Sequence, residues 1–298
     1  MNGALTGTRV LGAGSIALIS LAAVLTLRGM PSVAGYGWAS LAFYVLGALF
    51  FFVPLALVAA ELATGWPRAG GLYEWVKEAF GEQAGFLAVW FEWVENFAYL
   101  PTVLAFVAAT LAYAIDPGLA DDGVFLVITM LTVFWSLTLA NLLGMRWSAR
   151  LNGVGVVAGT LVPAVVLIAL GTYWLLAGRA SQIPFARTEL TPDFSGPGDL
   201  VFFAGVLLGF AGIEMAGFHA KETRDPAHDY PRAMLCAAVL IVAISMLGTL
   251  AIAFVVPQAE LSLVSGLPQA FAAFFSAIGV GDWATRLMST LIAVGTLR

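Results

Sequence analysis

The chain has 298 residues, of which 61% are hydrophobic and 10% charged, and its formal net charge is −5. Soluble domains carry about 25% charged residues, so a soluble globular fold is excluded, and the scarcity of bases excludes a nucleic-acid-binding surface. The single cysteine, Cys236, excludes an intrachain disulfide and a cysteine metal site, and its place in an apolar run predicts that it packs as a small hydrophobe.

Apolar runs near 10–27, 39–60, 84–113, 123–143, 153–177, 200–218 and 233–256 each approach or exceed the ~20 residues of a spanning helix. An eighth begins near Trp283 and runs to Arg298. The first run reads as a retained helix rather than a cleaved leader, because Leu27-Arg28-Gly29 is not a small-x-small cleavage site. It contains Leu25-Thr26-Leu27-Arg28-Gly29-Met30-Pro31, a charge beside helix breakers at membrane depth. Intramembrane charges are costly, so such a position points to function.

Between the second and third runs, Leu72, Trp75, Val76, Ala79 and Phe80 fall at helical spacing, with Glu74, Lys77 and Glu78 on the other side. That pattern predicts a short amphipathic helix at the membrane interface. The third run holds Glu92 and Glu95, which share a helix face that must be a polar cavity or a buried pair, with Asn96 beside them. The connection 178–198, with Pro184, Pro192, Gly196, Pro197 and Gly198, predicts an ordered surface loop. The sixth run carries the second interruption, Gly209-Phe210-Ala211-Gly212-Ile213-Glu214. Beyond it, His219 and His228 read as solvated histidines, and Glu61, Lys221, Glu222, Arg224 and Asp225 as a charge network.

The loops give the orientation. With the N-terminus inside, eight bases are cytoplasmic (Arg9, Arg68, Lys77, Arg146, Arg150, Lys221, Arg224 and Arg232) against two outside (Arg179 and Arg187). The 115–122 loop has Asp116, Asp121 and Asp122 and no base. No phosphate loop, nucleophile elbow or metal-ligand cluster is present, so neither an enzyme nor an ATP-driven pump is predicted, and no cofactor is called for.

Two broken spans in successive parts of the chain are the pattern of transporters built from inverted repeats. The chain resembles the amino acid–polyamine–organocation (APC) superfamily, most closely its glutamate:GABA antiporter branch. The resemblance rests on Arg28-Gly29-Met30-Pro31, on Ala60-Glu61-Leu62-Ala63-Thr64-Gly65-Trp66-Pro67 and on Gly70-Gly71-Leu72-Tyr73-Glu74-Trp75-Val76. It continues through Pro192-Asp193-Phe194-Ser195, Gly209 to Glu214, His219-Ala220-Lys221-Glu222 with Asp225-Pro226, and Asp229-Tyr230-Pro231-Arg232-Ala233-Met234. Val256-Pro257 and Glu260-Leu261-Ser262-Leu263 also fit it. Many relatives carry a Gly-Ser-Gly type triplet where this chain has Val24-Leu25-Thr26, and the glutamate:GABA branch lacks that triplet too.

The resemblance implies an all-α integral membrane protein of LeuT-like, inverted-repeat fold working by alternating access. Residues 1–177 are then the first five-helix repeat and 178–298 an incomplete second, as in an N-terminal part of a longer protein. It implies secondary transport of an amino acid across the inner membrane, as an exchanger of glutamate, GABA or a related substrate. A proton-coupled symporter and a non-transporting sensor or fragment are the alternatives; relatives coupled to protons often carry a lysine in span five, and none lies between Lys77 and Lys221 here.

An amino acid needs partners for its carboxylate and its ammonium group. Half-helix N–H groups suit the first and free carbonyls the second. The carboxylate is assigned to the backbone around Leu25–Leu27 and the ammonium to carbonyls around Phe210–Gly212, with Val24, Leu25, Thr26, Phe210, Ala211, Gly212 and Ile213 as the substrate-binding residues of the two breaks. A kink used only for packing is the alternative. Arg28 suits an acidic substrate side chain, or else an ion pair with Glu92 or Glu95. Phe210 suits a lid over the ligand, or plain packing. Glu214 and Glu95 are gating or proton-coupling candidates, and the resemblance places Asn96 at the substrate.

Overall fold

Two of the long helices depart from α geometry directly before a proline, whereas Pro101 and Pro231 sit inside continuous α-helix. The computed structural model describes residues 12–66, 70–142, 155–184, 190–192, 194, 196–215, 223 and 225–297. Helix α1 (Ala13–Val24) stops abruptly, and α2 (Met30–Ala34) restarts with Pro31 in its first turn, where a missing N–H costs nothing. Helix α3 (Ala39–Gly65) contains a π turn at Ala48–Phe52, directly before Val53-Pro54. Helix α7 (Val157–Leu176) opens on a π turn at Val157–Leu161, directly before Val162-Pro163. The cause is the same in both. Each proline lacks an N–H and its ring crowds the carbonyl four residues back, here Phe50 and Gly159, so the preceding turn widens.

Between these lie α4 (Leu72–Phe80), α5 (Glu82–Ile115) and α6 (Gly123–Leu142). Helix α4 is the predicted amphipathic helix, but only Trp75 of its apolar side is buried, and Phe80 stands exposed. Gly81 alone joins it to α5, at φ +92, a value open to glycine and costly to other residues. A 3₁₀ turn, Pro117–Asp121, covers the predicted acidic loop.

Then follow α8 (Pro197–Leu208), α9 (Pro226–Val255), α10 (Gly266–Ala277) and α11 (Trp283–Thr296). Among the described residues, six helices are long and apolar enough to cross a membrane, whereas α1 is a shorter apolar helix. Helix α10 was not foreseen from the sequence. Its buried residues include Leu267, Ala270, Phe271, Phe274 and Phe275, an i, i+3, i+4 stripe too short to register as a span.

Cys236 corrects one expectation, for it lies exposed. The buried stripe of α9 takes Tyr230, Ala233, Met234, Ala237, Ala238 and Ile241. That spacing turns residue 236 to the opposite side, beside exposed Leu235 and Val239. Helix α6 has no buried residue in its most apolar 18-residue window, so its whole surface is left to lipid or to another protein segment.

The chain divides into two compact units. The first gathers Met1–Leu25, Phe43–Asn96 and Phe194–Ala243, the second Thr26–Ala42, Phe97–Asp193 and Ile244–Arg298. In the first, Phe43 sits among Phe194, Phe202 and Phe203, with ring centroids 5.5, 5.1 and 6.0 Å away. In the second, glycines let helices touch backbone to backbone, as lipid-embedded helices do when packing replaces the hydrophobic effect. A Cβ built on Gly159 would stand 2.2 Å from the Cα of Gly295, and one on Gly171 2.5 Å from the Cβ of Ala251. Part of the predicted 178–198 loop is tied down there, with the Trp174 indole donating to the Ala180 carbonyl at 3.0 Å and the Gln182 N–H to Phe254 at 3.0 Å.

Candidate functional site

The first interruption starts where α1 runs out. Leu25 is the last residue to donate back into the helix, its N–H reaching the Leu21 carbonyl at 2.9 Å, and its ψ of 110° turns the chain to extended form. Val24 is thus the last helical residue, and the unwound stretch runs from Leu25 to Gly29. Among the described residues, the N–H groups of Thr26 and Leu27 find no acceptor, and the carbonyls of Ala22, Ala23 and Val24 receive no backbone N–H. Such groups persist in a membrane only where they line a cavity or meet a ligand. The carbonyls of Ala22 and Ala23 were missed in the sequence, because a helix end releases the last four carbonyls and not only those of the odd residues.

Thr26, half-buried, accepts the Arg28 N–H on its hydroxyl at 3.4 Å. Val24, Leu25 and Leu27 are buried side chains, so their contribution to a ligand is backbone alone. The Arg28 guanidinium donates to the Thr102 hydroxyl and lies over the Tyr99 ring, 4.6 Å from its centroid. Thr102 itself donates to the Tyr99 carbonyl at 2.6 Å, which orients the hydroxyl to accept from Arg28. All three residues belong to the second unit. A hydroxyl and a ring spread the cation over neutral partners, which leaves its full charge for a carboxylate.

The second interruption lies in the first unit. Helix α8 loosens through 209–212, with Phe210 bonding to Leu207 at 2.9 Å and Ala211 to Leu208 at 3.1 Å, both one residue tighter than α geometry. Gly212 then takes φ +105, and its N–H donates to the Glu214 carboxylate at 3.1 Å. That makes Glu214, half-buried, a clasp across the break. A Cβ on Gly212 would stand 3.5 Å from the Ala23 carbonyl oxygen, an ordinary contact, so backbone angle and not space demands glycine here. The same distance puts this break against the open end of α1. Val24, Leu25, Phe210, Ala211, Gly212, Ile213 and Glu214 therefore share one unit.

Phe210 and Ile213 are fully buried, Ala211 half-buried. Phe210 stacks on Phe52 at 4.7 Å and 15°, and meets Tyr44 edge-on at 5.9 Å. In α5, Glu95 and Asn96 are exposed, and Asn96 donates back to the Glu92 carbonyl at 2.9 Å. Glu92 is half-buried and lines a cavity of about 380 Å³ with Gly70, Leu72, Tyr73, Phe86 and Val89. That cavity is mainly apolar rather than the polar one expected, and Glu95, being exposed, is not part of a buried pair.

Of the predicted charge network, Lys221, Glu222 and Arg224 lie outside the described residues, as does His219. Asp225 holds the exposed His228 ring at 2.9 Å, and Glu61 is exposed.

A family model described as amino acid permease matches residues 4–297, both interruptions included. The chain belongs to the amino acid permease family. This is a family of the APC superfamily, and its fold is the all-helical, membrane-spanning LeuT-like one. The permease chain is 44% identical over 289 residues to an uncharacterised transporter of Legionella pneumophila, covering 97% of this chain and 62% of the relative. It is 33% identical over 281 residues to a glutamate/gamma-aminobutyrate antiporter of Lactococcus lactis, covering 92% of this chain and 55% of that protein. A cadaverine/lysine antiporter of Escherichia coli is 28% identical over 274 residues, or 91% of this chain and 57% of the antiporter. The permease chain thus spans between half and two thirds of the length of these relatives.

Proposed function

We propose that this permease chain forms part of a secondary amino acid exchanger of the bacterial inner membrane, with glutamate, GABA or a related amino acid as substrate. The observation that carries the reading is the pairing, inside one unit, of the open carbonyl end of α1 with the break at Gly212. Backbone groups released by two broken helices are what an amino acid's two charged ends require. The carbonyls of Ala22 to Val24 and of Phe210 and Ala211 take the ammonium group, that of Gly212 already accepting the Met215 N–H at 3.1 Å, and the N–H groups of Thr26 and Leu27 take the carboxylate. Arg28 selects for an acidic side chain. Glu214, by clasping Gly212, couples the break to the charge it carries, and Asn96 and Glu95 face the pathway from α5. Residues 1–177 act as the first repeat and 178–298 as the start of an inverted second, with the N-terminus cytoplasmic.

The test is exchange in proteoliposomes. Radiolabelled glutamate outside is expected to enter only when glutamate or GABA is loaded inside. A folded protein that binds glutamate yet shows no exchange sinks transport, and one that binds no amino acid at all sinks the site.

A further inference from the structure

Phe210 is the one large ring in the second break, and the structure shows where it rests. It is 2% exposed, enclosed by Tyr44, Gly47 and Phe52 of α3, all in the first unit. Gly47 is what makes the room: a Cβ there would stand 3.2 Å from Cε2 and 3.5 Å from Cδ2 of Phe210, and 3.4 Å from Leu207. The 3.2 Å contact is tighter than ordinary packing, so a methyl there asks the ring edge to give by a few tenths of an ångström, and a larger side chain cannot share the space. Phe52 supplies the stacking face, and it ends the π turn Ala48–Phe52. A π turn holds more residues than an α turn, so the widened turn before Pro54 displaces Phe52 from its α-helical register on the helix face.

We propose that Gly47 and Phe52 are positioning residues of the substrate site, forming a seat that pins Phe210 and through it fixes the backbone of Ala211 and Gly212. In this conformation the ring is an anchor in α3 rather than a cover over the site. The other fully buried side chain of the break is Ile213, so Phe210 is one of two side-chain anchors of the unwound segment, beside the Glu214 clasp on Gly212. Stacked aromatic pairs contribute beyond the area they bury, which keeps the ring seated at rest. The inference builds on the reading that this break meets substrate, but its test does not use substrate.

A cysteine is placed at Ala211 after the native thiol is removed by Cys236→Ser, and labelling by a membrane-permeant maleimide is followed in detergent without amino acid. Adding Gly47→Ala is expected to speed labelling about twofold, and Gly47→Leu, which cannot share the seat, about tenfold. Phe52→Leu, which removes the stacking face without adding bulk, is expected to speed it severalfold. Gly205→Leu is the control, since nothing lies within 4 Å of a Cβ there although it is in the same helix as the break. The melting temperature is read in parallel, and a local pin predicts that labelling rises far more than stability falls. Unchanged labelling in folded Gly47→Leu overturns the proposal, and so does an equal rise in Gly205→Leu. Where Gly47→Leu yields no folded protein, Phe52→Leu decides alone: faster labelling supports the seat and an unchanged rate refutes it. These outcomes are independent of the exchange assay, so failure of transport and failure of the seat are told apart.

Discussion

Arg28 shows how a single residue joins the sequence to the site. Its rank as a candidate came from cost, since an always-charged side chain at membrane depth is retained for a reason. Its partners did not follow from spacing. Thr102 and Tyr99 are far off in sequence, a hydroxyl and a ring that neither the substrate reading nor its ion-pair alternative named. Because those partners are neutral, replacing Arg28 leaves no orphaned acid beside it. Arg28→Ala is therefore expected to keep the protein folded and to lower exchange of glutamate at least tenfold relative to a neutral amino acid, measured as competing uptake into proteoliposomes. An unchanged preference makes Arg28 structural. Gly212 was legible as a helix breaker, but its φ of +105 and its clasp by Glu214 were not. Both are local geometry, a backbone angle and a bond two residues apart, that composition does not specify. Cys236 was misplaced for a related reason. Composition says that a run is apolar, while only the register of the buried stripe says which side of it is covered.

At the scale of elements, the long spans were legible because length and hydropathy alone define them. The two π turns were not, although both sit before a Val-Pro pair and share one cause. Helix α10 escaped because twelve residues of mixed character look like a loop to a search for spans. The crossing of α7 and α11 was invisible too, since it depends on which glycines meet. Gly159→Ala is expected to lower the melting temperature in detergent by several degrees, as overpacking costs about 1–3 kcal/mol or more. Gly205→Ala makes the contrast: it has open space around it and lies inside α8, so alanine there stabilises by about 0.5–1 kcal/mol. Equal behaviour of the two variants in a thermal melt removes the case for a close-packed crossing.

For the molecule as a whole, family and fold were readable from the order and spacing of motifs along the chain. The arrangement of the breaks was not, since the division into two units cuts between Leu25 and Thr26 and again within α5 and α9. Loop charge predicts one further property, the orientation. With Cys236→Ser as background, a cysteine at Gly118 is expected to react with a membrane-impermeant maleimide in intact cells, and one at Ala79 only after permeabilisation. The reverse pattern inverts the topology. The meeting of Gly159 and Gly295 carries a consequence for heredity. Every missense change at either codon adds at least one carbon to a place where two main chains already touch. No conservative replacement exists for such a pair, so in a saturation library these two positions are expected to fall silent together, while the exposed glycines of α8 accept most of the alphabet.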